Sequence, residues 1–137
     1  MNPGDIANHT WIAIINAFRG SIREAVATCD SLSSTDNPFP EAIAYIYAVG
    51  GRRDEALRVL RDLREEDTRH YVDPARFATV YAGLGDKEQA IASLRKALEV
   101  RSPMIVFLKV EPFLDGLRSD PRFQDLLRKT GPPPVKS

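Results

Sequence analysis

The chain has 137 residues, and nineteen basic and nineteen acidic side chains give it a formal net charge of zero. This length suits one domain with a continuous core. Because a neutral chain has no long-range field toward phosphate or anionic lipid, neither nucleic acid nor a membrane is expected as a partner. The N-terminus lacks the features of a secretion signal and no apolar run could cross a bilayer, so a cytoplasmic location is expected.

The first predicted element is a helix with Asp5 as its N-cap. Apolar residues recur at steps of three and four through Phe18, as they do on one side of a helix. This helix is expected to end near Gly20. Residues 21–24, Ser-Ile-Arg-Glu, have the capping-box pattern that begins a second helix. We therefore expect a first helix pair over residues 5–34.

Two further helix pairs are predicted, one over residues 40–68 and one over residues 74–101. Proline at the start of each pair suits the first position of a helix, and Asp73 and Asp86 are the predicted N-caps of the third pair. The four helices are expected at residues 40–49, 54–67, 74–82 and 87–100.

The pattern changes after Pro103. Residues 104–108 are a short apolar run that suits either a buried strand or a helical turn. We interpret it as helical or extended filler, because a solitary strand would leave its backbone groups unpaired. Two short amphipathic pieces follow, so residues 104–130 are expected to form a helical cap. Residues 131–137 are rich in proline and are expected to be a flexible tail.

The second and third pairs repeat one pattern at a spacing of 34 residues. A fixed period of this length is typical of stacked helical repeats. A shift of 31 residues lays the first pair on the second, with Gly20 on Gly51. The residues that recur at the 34-residue spacing are Pro40/Pro74, Ala44/Ala78, Tyr47/Tyr81, Ala48/Ala82, Gly51/Gly85, Ala56/Ala90, Leu60/Leu94 and Arg61/Arg95.

These positions resemble those of the tetratricopeptide repeat (TPR), in which small residues stand where two helices cross and glycine stands at the turn. The early tryptophan of that family is absent, and Leu63 replaces the usual alanine. The resemblance implies an all-α fold. It would be a right-handed α-solenoid of about three TPR-like helix-turn-helix repeats with a short helical C-terminal cap, in one domain over residues 5–130.

Residues 108–123 resemble a segment that follows such repeats in bacterial signalling proteins, where the repeats are attached to a kinase, cyclase or DNA-binding module. This sequence contains no such module. The resemblance therefore implies either the detached C-terminal part of a bacterial signalling protein or a small free-standing relative of one.

Residues with catalytic or metal-binding potential are few. His9 and His70 are the only histidines, and without a cysteine pair they do not make a zinc site. Cys29 lies at the repeat position of Leu60 and Leu94, so we expect a buried, packed thiol. No enzymatic activity, metal or cofactor is expected. The basic residues Arg118, Arg122, Arg128 and Lys129 are interpreted as a solvated or acid-paired helix face.

The resemblance also implies a concave groove lined by the first helix of each pair. Most of the predicted groove residues are apolar, so the expected ligand is an amphipathic helix or an extended apolar segment of a partner protein. Lysine, arginine and asparagine, which grip a terminal carboxylate in some family members, are absent from these places. The predicted groove residues are Thr10, Ile14, Phe18, Glu41, Tyr45, Val49, Ala75, Thr79 and Ala82.

The function expected from these patterns is that of a non-catalytic protein interaction module or scaffold. The alternative is a regulatory or sensor domain whose groove binds a small apolar ligand. The groove could also be filled by the chain's own C-terminal segment through Phe107, Phe113 and Phe123. Exposure of Trp11 on the first helix would leave room for a homodimer.

Overall fold

The computed structural model describes residues 3–32 and 39–130, and every regular element within these ranges is a helix. The all-α prediction is therefore confirmed for the described part of the chain, and the tail predicted at residues 131–137 lies outside it. The α-helices are α1 (Pro3–Phe18), α2 (Ile22–Leu32), α3 (Pro40–Val49), α4 (Arg53–Arg69), α5 (Pro74–Leu84), α6 (Lys87–Glu99) and α7 (Pro121–Thr130), and two 3-10 helices span Pro103–Phe107 and Pro112–Leu117.

The chain divides between Val72 and Asp73 into two compact units. In the first unit α1 packs against α2, α3 against α4, and α3 also contacts both α1 and α2. In the second unit α5 packs against α6. These are the helix pairs expected from the sequence, whereas the single domain over residues 5–130 stays a prediction.

The first helix of each pair ends in the same way, at a glycine with left-handed backbone. Gly20, Gly51 and Gly85 have φ angles of 90°, 84° and 78°. The amide after each glycine donates to the carbonyl five residues before it, with N···O distances of 2.8, 2.7 and 3.0 Å. Only glycine reaches this conformation without strain. Because Gly85 sets the end of α5, that helix runs two residues beyond the predicted end at residue 82.

The predicted N-caps have two different outcomes. Asp73 accepts a hydrogen bond from the Ala75 amide at 2.9 Å and Asp86 accepts one from the Gln89 amide at 3.1 Å, so both caps are confirmed. The prediction for Asp5 is wrong, because α1 already begins at Pro3 and places that residue in its first turn. A carboxylate there still stabilises the positive end of the helix dipole.

The small residues of the repeat lie where helices approach each other. Ala25, Ala56 and Ala90 open the second helix of the three pairs and are fully buried, as are Ala44 and Ala78 on the first helices. Because these buried side chains are small, a larger side chain at any of the five positions would overpack the core.

The segment after α6 is helical and covers the helix pair of the second unit. The apolar run at residues 104–108 lies largely in the first 3-10 helix, which settles its assignment as helical. The first 3-10 helix and α7 contact α6, and the second 3-10 helix contacts α5. Leu114, Leu117, Phe123 and Leu126 are buried in this packing.

One hydrogen bond joins the two ends of the α5–α6 pair. The hydroxyl of Ser102, directly after α6, donates to Asp73 Oδ2 at 2.6 Å. The same Ser102 oxygen accepts from the Met104 amide at 3.0 Å and so begins the first 3-10 helix. Asp73 thus caps α5 with one carboxylate oxygen and holds the end of the pair with the other.

Candidate functional site

Two aromatic contacts form where α1 and α3 meet in the first unit. The rings of Phe18 and Tyr45 are stacked, with centroids 5.7 Å apart and an interplanar angle of 26°. The rings of Trp11 and Phe39 are also 5.7 Å apart, tilted by 60°. Val49 lies one helical turn beyond Tyr45, on the same side of α3. We call these five residues the aromatic surface.

The aromatic surface is open to solvent. Trp11 is 52% exposed, Phe18 40% and Val49 41%, and the side chains of Phe39 and Tyr45 are partly exposed. Large rings held half in solvent by contacts with one another are typical of protein interfaces, where aromatic residues are enriched. Residues 10–18 of α1 carry no charge, so the α1 edge of this surface offers apolar contact rather than ion pairing.

Two of the groove residues predicted on α1 belong to the core instead. Thr10 is fully buried and its hydroxyl donates to the carbonyl of Ile6 at 2.8 Å, which satisfies the polar group within the helix. Ile14 is also buried. Neither side chain is available to a partner in this structure, whereas Phe18 is.

On α3 the predicted residues Glu41, Tyr45 and Val49 all retain access to solvent. The sequence prediction omitted Trp11 and Phe39 from the groove. The sequence does indicate that Trp11 shares a surface with Phe18, because a separation of seven residues places both on one side of a helix. Phe39 directly precedes α3, so no helical spacing within the sequence indicates its ring contact.

The groove residues predicted on α5 lie in the second unit and are mostly covered. Ala75 and Thr79 are buried, and the Thr79 hydroxyl donates to the Ala75 carbonyl at 3.4 Å. Ala82 is partly exposed. The part that α5 would play in binding stays a prediction.

A polar cluster links α2 to the start of α4. The hydroxyl of Tyr47 donates to Asp30 Oδ1 at 3.0 Å, and the guanidinium of Arg52 donates to both oxygens of that carboxylate at 3.1 and 3.2 Å. Arg52 also pairs with Glu55 and lies 5.4 Å above the centroid of the Tyr47 ring.

The cluster suits holding helices better than transferring protons. Hydrogen bonds from Arg52 and Tyr47 lower the pKa of Asp30. Burial, together with the hydrogen bond to Asp30, raises the pKa of Tyr47. Asp30 therefore stays ionised and Tyr47 stays protonated near neutral pH, whereas a general acid or base needs a pKa close to the working pH.

Cys29 is fully buried, as expected from its repeat position. Burial and the neighbouring charge of Asp30 raise the pKa of its thiol to about 12. Because the thiolate is the reactive form, this cysteine is a packing residue at neutral pH.

The two histidines are exposed. His9 Nδ1 lies 2.7 Å from the carbonyl oxygen of Asp5. Within residues 3–32 and 39–130, no three histidine, cysteine, aspartate or glutamate side chains are close enough together to hold a metal ion. Over the same ranges, no helix combines the length and the apolar character needed to cross a membrane.

The basic residues near the C-terminus are paired with acids, which confirms the interpretation of an acid-paired face. Arg122 binds Asp120 at 2.9 Å and also pairs with Glu88. The hydrogen bond from Arg122 lowers the pKa of Asp120 to about 2. The remaining pairs are Arg118 with Asp115, Arg128 with Asp125 and Lys129 with Asp125.

A second group of exposed apolar side chains lies on the cap of the second unit. Val106 is 76% exposed, Val110 71% and Phe107 55%. Phe123, by contrast, is fully buried in that unit. Of the phenylalanines considered for filling a groove, Phe123 is therefore already used by the core beside α6.

Comparison with known proteins identifies no family for this chain. The chain matches no protein-family model, no curated protein and no solved structure. The likeness to tetratricopeptide repeats therefore rests only on the residues of this chain that match the repeat pattern.

Proposed function

We propose that this protein is a non-catalytic interaction module of the tetratricopeptide repeat type, whose helix pairs stack as an α-solenoid. It binds the apolar face of an amphipathic helix from a partner protein on the aromatic surface. The observation that carries this proposal is the half-exposed pair of ring contacts, Trp11 with Phe39 and Phe18 with Tyr45.

The chemistry of the surface defines the partner. Aromatic anchors contribute most of the binding energy in many interfaces, and they require apolar side chains opposite them. A helix with leucine, methionine or phenylalanine at positions i, i+3 or i+4, and i+7 presents such a face. The charge-free α1 segment offers no grip for a terminal carboxylate.

The sensor function is the second candidate. A small apolar ligand is normally enclosed, with most of its surface buried in a cavity. The aromatic surface is open instead, which suits a polypeptide better. The resemblance of residues 108–123 to bacterial signalling proteins supports a cytoplasmic module that docks a component of such a system.

The test uses Trp11, the only tryptophan of the chain, as an internal reporter. Peptides selected against the protein from a display library are titrated while its fluorescence is recorded. We expect helical peptides with the apolar spacing described above, and a blue shift of the emission as they exclude water from the ring.

Matched variants locate the binding. Phe18→Glu and Tyr45→Glu should reduce peptide affinity at least about ten-fold, because each places a charge in an apolar contact. Val110→Glu introduces the same charge at an exposed apolar residue of the cap and should leave affinity unchanged. Equal affinity of all four proteins would exclude the aromatic surface as the binding site.

A further inference from the structure

A second exposed stripe runs along α1, beside the edge of the aromatic surface that Trp11 and Phe18 form. Its residues follow one another at steps of three and four and therefore share one side of the helix. We call this stripe the outer ridge; its residues are Asp5, Asn8, Ile12, Ile15 and Arg19.

The outer ridge lies opposite the side of α1 that packs in the first unit. Ile6, Thr10 and Ala13 are buried on that packed side, where α1 contacts α2 and α3. Ile12 and Ile15 on the ridge are each 51% exposed. Two large aliphatic side chains in the middle of a helix are thus left in solvent by the packing of their own unit.

The charges of the ridge are placed at its two ends. Asp5 is in the first turn of α1, and Arg19 follows its last residue with helical hydrogen bonding to the Ile15 carbonyl at 3.0 Å. Neither forms an ion pair with another residue of the described ranges. Both stand seven positions from Ile12, so the charges are about 21 Å apart along the axis at a rise of about 1.5 Å per residue.

This arrangement is complementary to itself. A two-fold axis at Ile12 places a second α1 antiparallel to the first, with Asp5 opposite Arg19 of the other copy at both ends. The isoleucines then meet in the middle. An interface of this symmetry requires one patch to complement itself, whereas a parallel arrangement would oppose like charges.

We propose that the outer ridge associates two copies of this chain through an antiparallel α1–α1 contact centred on Ile12. One helix from each copy buries less area than a standard interface, so the dimer is weak and depends on concentration. The proposal rests on the ridge residues, which lie next to Trp11 and Phe18 on α1 but do not include the aromatic rings.

A charge exchange tests the pairing. Sedimentation velocity at low salt, over a range of protein concentrations, should show a concentration-dependent dimer for the natural chain. Asp5→Arg alone and Arg19→Asp alone should each weaken the dimer by roughly ten-fold or more, because each opposes like charges at both ends. The double variant, which carries both exchanges, should restore it.

Mixing the two single variants gives the sharpest outcome. In a heterodimer of Asp5→Arg with Arg19→Asp, every charge meets its opposite, so the mixture should associate although neither variant does so alone. This result also shows that both variants are folded. Failure of the mixture to associate, or single variants that dimerise as well as the natural chain, would overturn the proposal.

A thiol at the axis gives an independent measurement. Ile12→Cys should form a disulfide-linked dimer on mild oxidation, because the axis brings the two introduced thiols together, while the buried Cys29 does not compete. Phe107→Cys carries an equally exposed thiol on the second unit and should remain mostly unlinked. Tyr45→Glu should leave the dimer intact. Equal crosslinking of the two thiol variants, or a natural chain that stays monomeric at the highest concentration, would contradict the proposal.

Discussion

The two units of this protein differ in how far the outer sides of their helices are buried. In the second unit, the segments that follow α6 pack on the preceding helix pair and bury Leu117 and Phe123. In the first unit, α1 keeps Trp11, Ile12 and Ile15 about half exposed. A pair of amphipathic helices has more apolar surface than it can bury alone. The second unit covers part of this surface with its own cap, although Val106, Phe107 and Val110 of that cap stay exposed, whereas these three exposed residues of α1 in the first unit keep about half of their surface in solvent.

Of the changes that test this difference between the units, loss of a buried cap residue should lower the stability of the protein most. Phe123→Ala removes a fully buried ring between α7 and α6, and we expect it to lower the free energy of unfolding by about 3–5 kcal/mol. Trp11→Ala removes an even larger ring from the first unit but should cost far less, because half of that ring is already in water. Chemical denaturation followed by circular dichroism measures both. Equal losses of unfolding free energy in the two variants would contradict the difference between the two units.

A smaller effect is expected where α2 approaches the end of α3 in the first unit. A methyl group on Gly50 would lie 2.5 Å from Val26 Cγ2 and 3.2 Å from Ile22 Cγ2. Gly50→Ala should therefore destabilise the protein by about 1–3 kcal/mol through overpacking.

Gly116→Ala is the matched control for that change, since nothing lies within 4 Å of a methyl group there. The same denaturation experiment should show little change for this variant. A neutral Gly50→Ala would mean that α2 and α3 can separate without loss of stability, and the first unit would then be less closely packed than the structure indicates.

The smallest effect concerns the pH dependence of the cap. Asp120 accepts hydrogen bonds from the amide and guanidinium of Arg122 at the start of α7, which lower its pKa from 3.8 to about 2. Since the folded pKa lies below the unfolded one, the contribution is complete above about pH 4 and disappears as the pH falls toward 2.

Asp120→Asn should therefore lower the melting temperature at pH 6, and the difference from the natural chain should vanish near pH 2. Asp62→Asn changes an exposed carboxylate on α4 and serves as the control. A difference for Asp120→Asn that persists unchanged to pH 2 would show that the ion pair is not its cause.

The sequence predicted those features that depend on one residue's own conformational limits. Gly51 and Gly85 mark helix ends because other residues resist positive φ, and Asp73 marks a helix start because its carboxylate caps the nearest amides. The prediction for Asp5 failed because Pro3 can itself begin a helix. These effects are local, so most of them can be predicted from residues that are neighbours in the sequence.

The site was less predictable because it depends on contacts between distant residues. The repeat resemblance placed Thr10 in the groove, but its hydroxyl is satisfied by the Ile6 carbonyl and the residue is buried. The ring contact of Trp11 with Phe39 and the ion pair of Asp30 with Arg52 join residues more than twenty positions apart. No spacing rule within one helix anticipates such contacts.

The hydrogen bond from Ser102 to Asp73 brings the two ends of the α5–α6 segment together. Because it joins residues 29 positions apart, the chain enters and leaves the α5–α6 pair at nearly the same point. A segment whose two ends meet can be copied or removed without stretching its neighbours, as in domain insertion. Residues 73–102 thus form a segment with adjoining ends, and we expect an insertion or circular permutation at this point to disturb the α5–α6 pair little.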